Sequence, residues 1–89
     1  MDGFFEVAIL IHPHALQRMQ ERGASEEEIQ SAIENGRVIP AKFGRKTYGM
    51  TFPYGRHWQE QFYENKHIEV YGVEEGDDII VVTVVVKYF

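Results

Sequence analysis

The last eleven residues, IIVVTVVVKYF, constrain the fold more than any other part of the chain. From Ile79 to Val86 every residue is apolar except Thr83, and most are β-branched. β-Branched side chains favour extended backbone and pack well on a pleated surface. An apolar run without alternation predicts a strand covered on both faces, central in a sheet. The run is too short to cross a membrane as a helix. At 89 residues the chain holds one domain, residues 1–89. The fold must therefore wrap a sheet around this strand.

The first half of the chain has the helical period. Residues 4–11 read as a first strand at an edge. In HPHALQRMQERGAS (12–25), Pro13 suits the first turn of a helix, where its missing N–H costs nothing. His12 falls at the cap, Gly23 ends the helix, and Ala15, Leu16 and Met19 form its apolar stripe. Ser25 and Glu28 have the spacing of a capping box, with Glu26 and Glu27 also in the first turn. Ile29, Ala32 and Ile33 face inward, and Asn35-Gly36 closes the second helix. Three glutamates at its start would repel phosphate, so this hairpin is no DNA-reading element.

After Gly36 the period changes. RVIPA, RKTYGMTF, QEQFYE, KHIEVYGV and the terminal run read as strands, with PYGRH and EEGDD as turns. The stretch around Trp58 fits a helical turn or a loop. The product is α+β: an N-terminal strand and a two-helix hairpin packed on an antiparallel β-sheet meander.

Composition excludes several functions. The chain has no cysteine, which removes disulfides, thiolate metal sites and a cysteine nucleophile. No basic leader or long apolar segment is present, and the expectation is a soluble, cytoplasmic protein with no membrane partner. His12, His14, His57 and His67 raise the question of a metal. HPH has no carboxylate at a familiar ligand spacing and the other two histidines are distant in sequence, so neither metal nor cofactor is expected. The net charge of −5 argues against nucleic-acid binding as a whole. Yet residues 36–59 contain no acid and hold five of the nine basic residues: Arg37, Lys42, Arg45, Lys46 and Arg56. A basic face and a chance gap in acids both explain this window. Tyr48, Phe52, Tyr54, Trp58, Phe62 and Tyr63 are interleaved with it. They suit a base-stacking surface, and equally a sheet core with a partner interface.

His14, Arg18 and Arg22 recur at four-residue spacing along one helix line. Two guanidiniums can clamp a phosphate and an imidazole can move a proton near neutral pH. RNA cleavage by a 2′-hydroxyl needs such roles and no metal. The competing reading is ordinary: the arginines pair with Glu21, Glu26 or the strand turns, and His14 caps backbone groups or packs against the sheet. Arg45 joins the phosphate-binding candidates with Arg18 and Arg22. On a regular strand it faces away from Tyr48. Tyr48 reads most simply as a core aromatic and Thr83 as a strand residue, while Lys87 follows the buried run.

HALQRMQERGASEEEIQSAIENGRVI, then GRKTYGMTF and DDIIVVTVVVKYF, resemble a family of small bacterial and phage proteins, domain of unknown function 4258. The resemblance covers about residues 12–89. It rests on His14, Ala15, Arg18, Arg22 and Gly23, then Gly44, Arg45 and Tyr48, and Thr83. Ala24 departs from the family's usual apolar residue, and PYGRHWQEQFYENK is longer than usual. The order of elements is similar to that of the RelE-like toxin fold. This implies a toxin-like protein that binds RNA, or a metal-independent ribonuclease with His14 as general acid or base. Tyr48, Thr83 and Lys87 would be accessory. The alternative is a non-catalytic interaction domain that binds an antitoxin-like protein or forms a homodimer.

Overall fold

A computed structural model describes residues 8–89. Seven elements follow one another: β1 (Ile9–Ile11), α1 (Pro13–Arg22), α2 (Glu26–Asn35), β2 (Arg37–Pro40), β3 (Arg45–Trp58), β4 (Gln61–Glu75) and β5 (Asp78–Tyr88). The strands form one sheet in the order β1-β5-β4-β3-β2. β2 to β5 are an antiparallel meander, and β1 pairs parallel with β5. This is the expected α+β class, with a mixed sheet. Of the expected first strand, residues 4–7 lie outside the described residues. No helix described is long and apolar enough to cross a membrane.

Local chemistry sets the helix ends. The His12 ring accepts the His14 backbone N–H through Nδ1 at 3.1 Å, and Pro13 opens α1. Gly23 takes the left-handed conformation, φ 79°, and its N–H returns to the Met19 carbonyl. In α2 the capping box is complete: Glu28 N–H donates to Ser25 Oγ, and Ser25 N–H donates to the Glu28 carboxylate. Both helices pack on the same sheet face. Ala15, Met19, Ile29 and Ala32 meet Tyr48, Ile68, Val70, Ile79, Val81 and Val84 in one core. Leu16 is not part of the α1 stripe: it is 40% exposed, because the helix leans on Ala15 and Met19 instead.

β5 departs from expectation in an informative way. Only its helix-side face is buried. Ile80, Thr83 and Val85 on the other face are half-buried, Val82 is exposed, and no described element covers them. The uniform apolarity has a different cause. Tyr71 pairs with Thr83 but Gly72 pairs with Val81, so Val82 is an extra residue. This bulge reverses the alternation, turning Ile79 and Val81 inward before it and Val84 and Val86 after it.

The middle of the chain also differs. PYGRH is no turn but part of β3, with a bulge between Pro53 and Arg56 where Gly55 has φ 62°. Trp58 ends β3, and QEQFYE and KHIEVYGV merge into the single strand β4. The reversal falls on Gln59 and Glu60, both with positive φ as a type I′ turn requires. Neither is glycine or asparagine, which is why the turn left no mark in the sequence.

Candidate functional site

The side chains of the first helix motif go to separate tasks. The His14 side chain is exposed and makes no side-chain hydrogen bond among the described residues, while its backbone N–H donates to His12. Arg18 donates to Glu21 Oε1 at 2.7 Å, and that bond lowers the Glu21 pKa. Arg22 donates to the Val84 carbonyl at 2.6 Å. Asn65 and Phe89 exchange both backbone hydrogen bonds, so ladder alternation turns the Val84 carbonyl away from β4. Arg22 thus closes the edge of β5 where β1 no longer reaches.

Gly23 is held beneath this contact. A Cβ there would lie 2.6 Å from Tyr88 Oη and 2.8 Å from the Trp58 ring. Tyr88 Oη donates to the Arg22 carbonyl at 2.7 Å, and its ring stacks on Trp58. Burial pushes the Tyr88 hydroxyl up to about 12. Lys66, only 3% exposed, donates to the Gly23 carbonyl and, at 2.8 Å, to Glu28 Oε1. The carboxylate that caps α2 therefore also pairs the buried ammonium. The sequence carried a signal for Lys66: it stands in period-2 line with Ile68 and Val70.

The opposite sheet face is open. Register places its side chains in four rows across the strands. The first row is Thr51, His67 and Lys87. The second is Arg37, Gly49, Glu69 and Val85. Ile39, Thr47, Tyr71 and Thr83 make the third, and Arg45, Val73, Ile80 and Leu10 the fourth. Of the sequence candidates, Arg45, Thr83 and Lys87 share this face, with Arg37. His14, Arg18 and Arg22 belong to the helix side, and Tyr48 is buried in the core at 4% exposure. The structure does not bring the helix candidates and Arg45 around one pocket.

A chain of polar contacts crosses the open face. Thr51 Oγ1 and His67 Nδ1 share a bond of 2.8 Å, His67 Nε2 lies 3.5 Å from Glu69 Oε2, and Tyr71 Oη donates to Glu69 Oε1 at 3.2 Å. Partial burial, and after it the neighbouring Glu69 carboxylate, raises the Tyr71 pKa, so the hydroxyl stays a donor. Beside the chain, Arg45, Thr47, Tyr71, Val82, Thr83 and Ala41 line a shallow groove of about 350 Å³. Among the described residues Arg37, Arg45 and Lys87 make no ion pair, and Glu69 is the single acid in the four rows. Register places Glu75 and Asp78 in the next row of the same face, beyond that of Arg45, and the remaining described acids lie on α1, α2, the β3–β4 hairpin and the β4–β5 end. No group of three or more His, Asp or Glu side chains suited to a metal occurs among the described residues.

His67, expected only as a candidate metal ligand, and Glu69, not among the expected site residues, stand together here. Their signal was again period 2: His67, Glu69 and Tyr71 alternate with the core residues Ile68 and Val70.

No curated protein and no solved structure matches the chain. A family model does, over residues 11–86, from the end of β1 to the buried part of β5. The match spans both halves of the Arg22–Val84 contact and all but the Lys87 and Leu10 ends of the open-face rows. The chain belongs to the family described as a domain of unknown function, DUF4258.

Proposed function

We propose that the protein binds single-stranded RNA across its open sheet face. The observation that carries this reading is a set of cations, Arg37, Arg45 and Lys87, that make no ion pair among the described residues and surround one polar strip on an otherwise acidic protein. Guanidiniums take phosphate oxygens in bidentate fashion, and phosphate contacts dominate nucleic-acid affinity. The half-buried Tyr71 ring and the exposed ring of Phe43 offer stacking surfaces to unpaired bases. The sheet edges suit a ligand laid on the face rather than an added strand. β2 has four residues ending in Pro40, β3 meets Pro53 and a bulge, and Arg22 closes β5.

The test is fluorescence anisotropy with a labelled oligoribonucleotide at two salt concentrations. Replacing Arg37 and Arg45 together by Ala should weaken binding at every sequence and reduce the salt slope by about 1 per lost contact. Arg18→Ala, on the helix side, should bind like the parent. A parent that shows no binding at low salt would exclude the reading.

One observation favours a second reading, a protein-interaction domain whose partner is antitoxin-like or a second copy. Phe43, between β2 and β3, is 87% exposed, and Leu10, Ile39 and Val82 are exposed on the open face. Sedimentation of the isolated protein separates the two, since self-association would bury these residues.

A further inference from the structure

We infer that Glu69 and His67 form an acid–base pair that cleaves the bound strand by attack of its own 2′-hydroxyl. The inference rests on the open face being an RNA surface and adds a reaction to it. It places the chemistry on β4 instead of α1.

The geometry supplies each role. His67 is anchored through Nδ1 to Thr51 Oγ1 at 2.8 Å, which turns Nε2 towards Glu69, 3.5 Å away. Glu69 is held from its other oxygen by Tyr71 Oη at 3.2 Å. Both side chains remain accessible, at 28% and 33% exposure. Lys87 stands beside His67 in register, and Arg37 lies across Gly49 from Glu69. Gly49 leaves a notch in that row: even a Cβ there would come to 3.5 Å from His67 Nε2. A phosphodiester seated over the notch meets a carboxylate, an imidazole and two cations.

The Glu69 carboxylate takes the proton of the 2′-hydroxyl as its oxygen bonds to phosphorus. The His67 imidazolium gives its Nε2 proton to the 5′-oxygen as the P–O5′ bond breaks. Lys87 and Arg37 balance the charge that builds on the non-bridging oxygens. The products are a 2′,3′-cyclic phosphate and a 5′-hydroxyl, with no net gain or loss of protons. Direct contact between the two groups then lets the proton on Glu69 return to His67, restoring both for the next turnover. Because the nucleophile is the 2′-hydroxyl, a deoxyribose strand binds without being cut.

The experiment uses an end-labelled oligoribonucleotide in the presence of a chelator, with the all-deoxy strand of the same sequence for affinity. The parent should release a 2′,3′-cyclic phosphate product. His67→Ala and Glu69→Gln should each slow cleavage about 100-fold or more while deoxy-strand affinity stays at the parent level. His14→Ala should cleave like the parent. Glu69→Gln keeps the side chain's shape, so it tests the chemistry even where His67→Ala disturbs the sheet. A parent that binds the deoxy strand but leaves RNA intact overturns the inference and spares the binding surface. Undiminished cleavage by Glu69→Gln, or cleavage that depends on His14 instead, overturns it too. A parent that binds neither strand removes both readings together.

Discussion

Lys66 shows how one side chain can tie three elements together. Its ammonium is nearly inaccessible and bridges the Gly23 carbonyl and the Glu28 carboxylate, joining β4 to the end of α1 and the start of α2. Truncating one member of such a pair leaves the other uncompensated, at about 3–5 kcal/mol. Lys66→Ala should lower stability by that order in urea titration. A loss within the range of an exposed pair would mean that water replaces the ammonium. The neighbouring Tyr88 gives a pH signature. Its hydroxyl rises from the ordinary 10.0 to about 12, chiefly through burial. The unfolded chain therefore ionises first. The associated stability is fully present below pH 10 and is lost as pH rises towards about 12. Thermal melts should show this alkaline loss, and Tyr88→Phe should flatten it. Some of this network was legible beforehand. The capping box and Gly23 followed from local rules, whereas the partners of Arg22 and Lys66 lie 62 and 43 residues away in the chain. Spacing along a helix shows which side chains are neighbours, not what the fold brings against them. The line of His14, Arg18 and Arg22 is therefore a shared helix face whose members have different partners.

Among the elements, the turns account for most of what sequence rules did not reach. The α1 and α2 boundaries were clear because caps act within a few residues. The β3–β4 hairpin was not, because Gln59 and Glu60 take left-handed backbone without the residue types that favour it. PYGRH looked like a turn because Pro53 and Gly55 also mark a bulge, and only pairing with β4 distinguishes the two. The β2–β3 connection makes the same point with a consequence. Phe43 has φ 62° and Gly44 φ 70°, so a bulky aromatic occupies a position suited to asparagine. The ring gains no burial in return, at 87% exposure. Strain without local compensation is typical of binding loops. Phe43→Asn should therefore stabilise the fold by about 1 kcal/mol and weaken RNA binding through the lost stacking surface. Denaturation midpoints and anisotropy measured on the same sample read both effects. Unchanged binding would leave Phe43 outside the interface, and unchanged stability would mean the turn carries no strain.

For the molecule as a whole, the proposed RNA surface raises the question of how a chain of net charge −5 would attract a polyanion. The arrangement in layers answers it. Glu26, Glu27 and Glu34 stand exposed on α2, while Arg37, Arg45 and Lys87 stand on the far face of the sheet. The shortest dimension of the molecule is 21 Å. A Debye length is about 10 Å at 0.1 M salt and about 30 Å at 0.01 M. At moderate salt a strand on the open face is therefore shielded from the helix acids and feels the cations beside it. At low salt it feels the whole protein, and the acids oppose its approach. Changing Glu26, Glu27 and Glu34 together to Gln should speed association with RNA at 0.01 M salt and leave it unchanged at 0.1 M salt. Among the described residues none of the three pairs with a cation, and none is the capping residue Glu28, so the fold should tolerate the change. Stopped-flow association rates at the two salts decide the matter. An equal gain at both would place the strand on the helix side, near α2, and would move the binding surface off the open sheet.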